Sequence, residues 1–79
     1  MAVRLLFLGR LEDVAGASRR DVDTGSLDSV LSALDPDLAR ALRGDRIRIA
    51  VNGELVADRS NLILADGDEI AFLPPVSGG

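Results

Sequence analysis

Apolar residues open the chain in a short run, Val3-Arg4-Leu5-Leu6-Phe7-Leu8, closed by Gly9. A run of that length, apolar on both alternating faces, predicts a strand in the interior of a sheet. Val3, Leu5 and Phe7 share one face, and Leu6 and Leu8 share the other with Arg4. Residues 11–15 predict a turn of helix ended by Gly16, and the polar, alternating stretch 18–23 predicts an edge strand whose Arg19, Arg20 and Asp21 are solvated.

The clearest helix follows. Ser26 is a natural N-cap and Asp28 sits in the first turn, where the helix dipole favours an anion. Leu27, Val30, Leu31 and Leu34 recur at i, i+3, i+4 and i+7, a stripe that must cover a sheet. Asp35-Pro36 restarts a helix with Asp35 as cap and Pro36 in the first helical position. Its inner face is Leu38 and Leu42, and Gly44 is the expected residue past its end. Residues 46–51 then alternate with period two, Asn52-Gly53 supplies the left-handed pair of a type I′ turn, and residues 54–56 return as a hairpin. Residues 61–64 form a brief apolar segment before the acidic turn Asp66-Gly67-Asp68-Glu69, which lacks the ligand spacing of a calcium loop and is expected to be solvated. Residues 70–73 make the last strand.

Strand, strand, helix, hairpin and final strand describe an α+β domain, and the economical arrangement is a β-grasp, ubiquitin-like fold. One main amphipathic helix packs on one face of a mixed sheet, against Val3, Leu5, Phe7, Ile47, Ile49, Val51, Ile70 and Phe72. Leu6, Leu8, Ala71 and Leu73 are then left on the opposite face, an apolar patch that marks a docking surface. The predicted organisation is a β-grasp domain over residues 1–73 and an extended tail over residues 74–79.

Composition narrows the chemistry. With 79 residues, 47% of them hydrophobic, the chain can fold around one core but has little margin for an elaborate internal active site. Cysteine and histidine are absent, which removes the thiolate nucleophile, the cysteine zinc site, the disulfide scaffold and the usual general base. No apolar run is long enough to span a bilayer, and the expected location is the cytoplasm. A net charge of −4 and only two phenylalanines disfavour nucleic acid as a partner, so partners should be proteins. All nine basic residues are arginine. A chain without lysine amines could not be captured by its own side chains if its terminus were activated as an acyl donor.

The end of the chain supplies the one candidate reactive group. Pro74-Pro75-Val76-Ser77-Gly78-Gly79 carries no charged side chain. Six residues at about 3.3 Å each reach roughly 20 Å from the folded body, and the prolines stiffen the root. Glycine at the last two positions leaves no Cβ to clash in a narrow channel. By itself such an end also suits a frayed terminus.

The closing residues, from Asp66-Gly67-Asp68-Glu69 through Phe72-Leu73-Pro74-Pro75-Val76-Ser77-Gly78-Gly79, resemble the end of the small sulfur-carrying subunit of molybdopterin synthase, the MoaD family. Leu5-Leu6-Phe7-Leu8, residues 11–16 and Ala50-Val51-Asn52 resemble the same family, and the similarity is loose from Ser18 to Arg46. The resemblance implies a sulfur carrier whose reactive atom is the terminal carbonyl carbon of Gly79. It implies adenylation of that carboxylate by an E1-like adenylyltransferase using Mg-ATP, sulfur supplied by a donor enzyme to give a thiocarboxylate, and delivery to a cyclic pyranopterin precursor in the large synthase subunit, the two subunits forming a heterotetramer. Gly78 is then the slim neighbour in the channel, Pro74, Pro75, Val76 and Ser77 the stalk, and Leu6, Leu8, Ala71 and Leu73 the partner face. Leu8 and Leu73 stand where the family commonly shows aromatic residues, which keeps the apolar character and loses ring contacts. No cofactor is expected on this chain. A ubiquitin-like protein modifier and a thiamine-pathway sulfur carrier share the Gly-Gly ending and remain open.

Overall fold

The computed structural model describes residues 2–59 and 62–75. Its elements in chain order are β1 (Val3–Phe7), α1 (Arg10–Ala15), β2 (Arg19–Val22), β3 (Gly25–Ser26), α2 (Leu27–Ser32), α3 (Pro36–Leu42), β4 (Arg48–Val51), β5 (Glu54–Val56), β6 (Ile63–Leu64) and β7 (Glu69–Leu73). Five strands form a mixed sheet in the order β2-β1-β7-β4-β5. β1 and β7 run parallel, and the other neighbouring pairs are antiparallel. The ubiquitin-like β-grasp expected from the element order is the fold observed. β1 is flanked on both sides, as its apolar faces require, but the middle strand is β7.

Inward-facing positions alternate along each strand and meet in one core: Val3, Leu5 and Phe7 from β1, Ile49 from β4, Ile70 and Phe72 from β7, and Leu27, Val30, Leu31, Leu34, Leu38 and Leu42 from the helical layer. Ile47 and Val51 pack against its margin. Phe7 and Phe72 are register partners across the parallel pair, and their rings stack at 5.9 Å with 13° between planes. Offset stacking of this kind adds to burial and locks the register of the two strands that must meet from opposite ends of the chain.

The helical layer breaks where Asp35-Pro36 is expected to restart a helix, so the main amphipathic helix is accompanied by a second of similar length. The layer is delivered as α2 and α3, of 6 and 7 residues. Pro36 has no N–H to continue a helix, and it pushes Asp35 out of the helical region, to φ −52° and ψ 136°. Ser26 caps α2 as predicted, its Oγ accepting from the Ser29 N–H at 3.1 Å. Asp35 makes no such side-chain cap; its backbone carbonyl accepts from Ala39 N–H at 2.8 Å instead. Gly44 stands just past the C-cap residue Arg43, as expected, but without the left-handed conformation that ends many helices. The carbonyls at the end of α3 are met by a cation: Arg59 donates to the backbone oxygens of Leu42, Arg43, Gly44 and Ile47, the shortest being 2.8 Å to Gly44. Arginine can serve several acceptors at once because its donors form a planar fork.

Asn52 and Gly53 both have positive φ, at 51° and 88°, as the β4–β5 turn demands. The acidic turn is more than solvated. Asp66 accepts from the Ala2 N–H at 2.9 Å. Asp68 accepts from Ala65 N–H at 2.8 Å and from Asn52 Nδ2 at 3.1 Å, and these bonds hold its carboxyl below the usual carboxylate range. Asn52 closes the circuit by accepting from the Glu69 N–H at 3.0 Å, so the turn fixes where β7 enters the sheet. Among the described residues no group of histidine, cysteine, aspartate and glutamate could hold a metal ion, and no helix is long and apolar enough to cross a membrane.

Candidate functional site

β7 lies in the middle of the sheet, paired on both sides, and its last residue, Leu73, leads directly into Pro74. Pro74 is half-buried and Pro75 exposed. Val76, Ser77, Gly78 and Gly79 lie outside the described residues.

Residues directly opposite each other in a sheet share a face. On the side away from the helices the register gives one continuous row, Arg19, Leu6, Ala71, Ala50 and Leu55, running from β2 to β5. Leu73 follows in the next row beside Arg48. Leu8 lies just past β1, its N–H bonded to Phe72 O at 3.2 Å, and is 43% exposed. Leu6, Ala71 and Leu73 are half-buried. Leu6, Ala71 and Leu73 therefore sit on one face of the sheet, and Leu8 follows β1 beside Phe72.

The sequence reading missed Ala50 and Leu55, which extend that patch across β4 and β5; Leu55 is 69% exposed. Counting back from Asn52-Gly53 would have found them, because the turn's register pairs Ala50 with Leu55 on the face opposite Ile49 and Val51.

A family model described as the ThiS family matches residues 5–79. The chain belongs to the ThiS family. The curated molybdopterin synthase sulfur carrier subunit of Escherichia coli (strain K12) is 32% identical to this ThiS-family chain, over 98% of this chain and 99% of that one. Among solved structures, the small archaeal modifier protein 1 of Methanosarcina acetivorans superposes with a TM-score of 0.80 at 28% identity, covering 99% of this chain and 96% of that one. The complex of subunits 1 and 2 of the molybdopterin-converting factor from Helicobacter pylori contains a chain that matches with a TM-score of 0.72 at 28% identity, each chain fully covered.

One feature at the tail root of this ThiS-family chain is a close backbone approach. Gly9 has φ 57° and ψ −136°, and a Cβ there would come within 2.9 Å of Pro74 Cγ. Only glycine adopts this conformation without strain, and only a missing side chain lets Pro74 seat against the β1–α1 junction. Gly9→Ala should cost about 1–3 kcal/mol of stability. Part of that loss belongs to the contact and part to the backbone. In a Pro74→Ala background, which lacks Cγ, urea unfolding should show a smaller penalty for Gly9→Ala; equal penalties in the two backgrounds would show that the contact does not seat the tail.

Proposed function

We propose that this chain is a sulfur carrier in molybdopterin formation, with Gly79 as the carrier group. The observation that carries the reading is agreement with a family model over residues 5–79 and, over 98% of the chain, with a relative named molybdopterin synthase sulfur carrier subunit. The apolar row at the tail root supports it, because a carrier must dock on a larger protein while its end enters that protein's site.

In this reading Gly79 begins as a carboxylate, ionised at neutral pH and a poor electrophile. An E1-like adenylyltransferase joins it to AMP with Mg-ATP, releasing pyrophosphate. The terminal sulfur of a donor enzyme's persulfide attacks the carbonyl carbon and AMP departs; cleavage of the sulfur–sulfur bond by a thiol then leaves the thiocarboxylate. Docked through Leu6, Leu8, Ala71 and Leu73 on a large synthase subunit, with the subunits in a heterotetramer, the chain offers its sulfur to a cyclic pyranopterin precursor and returns to the carboxylate. ATP and magnesium belong to the activating enzyme, and this chain holds no cofactor. Pro74, Pro75, Val76 and Ser77 act as the stalk, and Gly78 passes the channel because it has no side chain.

The test is loading. Incubation with an E1-like enzyme, Mg-ATP and a persulfide donor should replace one oxygen of the intact chain by sulfur, seen by mass spectrometry. The product, mixed with the large subunit and the precursor, should yield molybdopterin. Consumption of the thiocarboxylate by a thiazole synthase alone would assign the chain to thiamine formation, and isopeptide-linked products without pterin would make it a protein modifier.

A further inference from the structure

The charges on the sheet's outer face do not balance. The acids that share it within the strands, Asp21 and Glu69, both flank Arg4, with nearest approaches of 3.9 and 3.8 Å. Arg19 at the β2 end of the apolar row and Arg48 beside Leu73 are exposed, and neither side chain has an ion-pair or hydrogen-bond partner among the described residues. Of the other arginines, Arg43 donates to Asp28 at 2.6 Å and Arg59 is spread over backbone carbonyls, while Arg10, Arg20, Arg40 and Arg46, like Arg19 and Arg48, make no side-chain ion pair or hydrogen bond among the described residues but lie off this row. In a chain of net charge −4, the face with the continuous apolar row thus carries two uncompensated cations, on either side of Leu6, Ala71 and Leu73. Three strand spacings and a two-residue offset set their Cα atoms roughly 16 Å apart.

A second copy of this chain cannot answer that pattern. Two such faces brought together would oppose arginine to arginine, and the two acids that the strands place on the face already flank Arg4. We infer that the occupant of this face is a different protein, the large synthase subunit of the proposed function, and that it presents carboxylates opposite Arg19 and Arg48 at the two margins of an apolar strip. The inference depends on the carrier reading for the identity of the occupant and adds the chemistry by which this occupant is selected. Exposed rim charges act mainly on the association rate and on the rejection of wrong partners, while the apolar row between them holds the complex.

The experiment uses the full chain and the large synthase subunit from the same organism, with association followed by stopped flow at low and high ionic strength. Arg19→Glu with Arg48→Glu should slow association on the order of tenfold or more at low salt, and the difference should shrink as salt rises. Arg40→Glu, an exposed change on α3 with the same charge sign, is the control and should have a much smaller effect. The neutral pair Arg19→Gln and Arg48→Gln should fall between, and circular dichroism should show all variants folded. Replacing the opposed carboxylates of the large subunit by arginine should restore the rate of the double glutamate variant. Equal slowing by Arg40→Glu, or no slowing by the double variant, overturns the inference and leaves the carrier reading standing if the wild-type chain is still loaded with sulfur. Self-association of the wild-type chain through this face overturns it as well. Failure of the loaded wild-type chain to bind the large subunit removes the inference and the carrier reading together.

Discussion

Deletion of Gly79 should abolish sulfur loading and leave the melting curve unchanged. The terminus of the shortened chain is still a glycine carboxylate, so the chemistry of the group survives, but its carbonyl carbon is withdrawn by about 3.3 Å. Misplacing a reacting atom by about 1 Å can cost on the order of 10²-fold in rate, so a shift of a whole residue should remove adenylation altogether. Stability should not follow, because every member of the buried core cluster lies between Val3 and Phe72. Mass spectrometry after incubation with the activating enzyme, alongside a thermal melt, separates the two quantities. A shortened chain that is loaded at the normal rate would move the carrier function away from Gly79.

The neighbouring residues Phe72 and Leu73 should fail in opposite ways. Phe72 is fully buried and stacks on Phe7 in the core, whereas Leu73, next in β7, points to the outer face and is half-buried. Phe72→Ala should cost about 3–5 kcal/mol through lost burial and the cavity left behind, a large share of the ~5–15 kcal/mol that holds a domain folded. The variant should unfold at a much lower urea concentration than the wild-type chain. Leu73→Glu should leave the fold intact, because the new carboxylate faces Arg48 across the β4–β7 pair, where opposite charges contribute about 0.2–1 kcal/mol. That same substitution puts a charge into the apolar contact and neutralises one of the two cations at its margin, so binding to the large subunit should fall steeply. Urea unfolding and titration calorimetry on the two variants test the pair. An unchanged urea midpoint for Phe72→Ala or an unfolded Leu73→Glu would reverse the assignment of faces.

Much of this protein was determined by its local sequence. Period-two alternation around Leu5, Ile49 and Phe72 fixed which side chains turn inward, since successive residues of a strand must point to opposite faces. Ser26, Asn52 and Gly53 marked a helix start and a hairpin through requirements of their own backbones, and the Gly-Gly ending named the candidate reactive group. Contacts between segments distant in the chain were decided only by the tertiary structure. Arg59 looks like any solvated arginine until the fold carries it to the end of α3, where it donates to the carbonyls of Leu42, Arg43 and Gly44. The two-residue strands β3 and β6 are too short for any periodicity to register and exist only because Gly25-Ser26 and Ile63-Leu64 are brought together. Gly9 carries no signal of its approach to Pro74, 65 positions away. The outer-face row and its two free arginines likewise depend on strand order and on which acids Arg4 occupies. A local pattern can say which way a side chain points, but what it meets there depends on loop closures that no single segment contains.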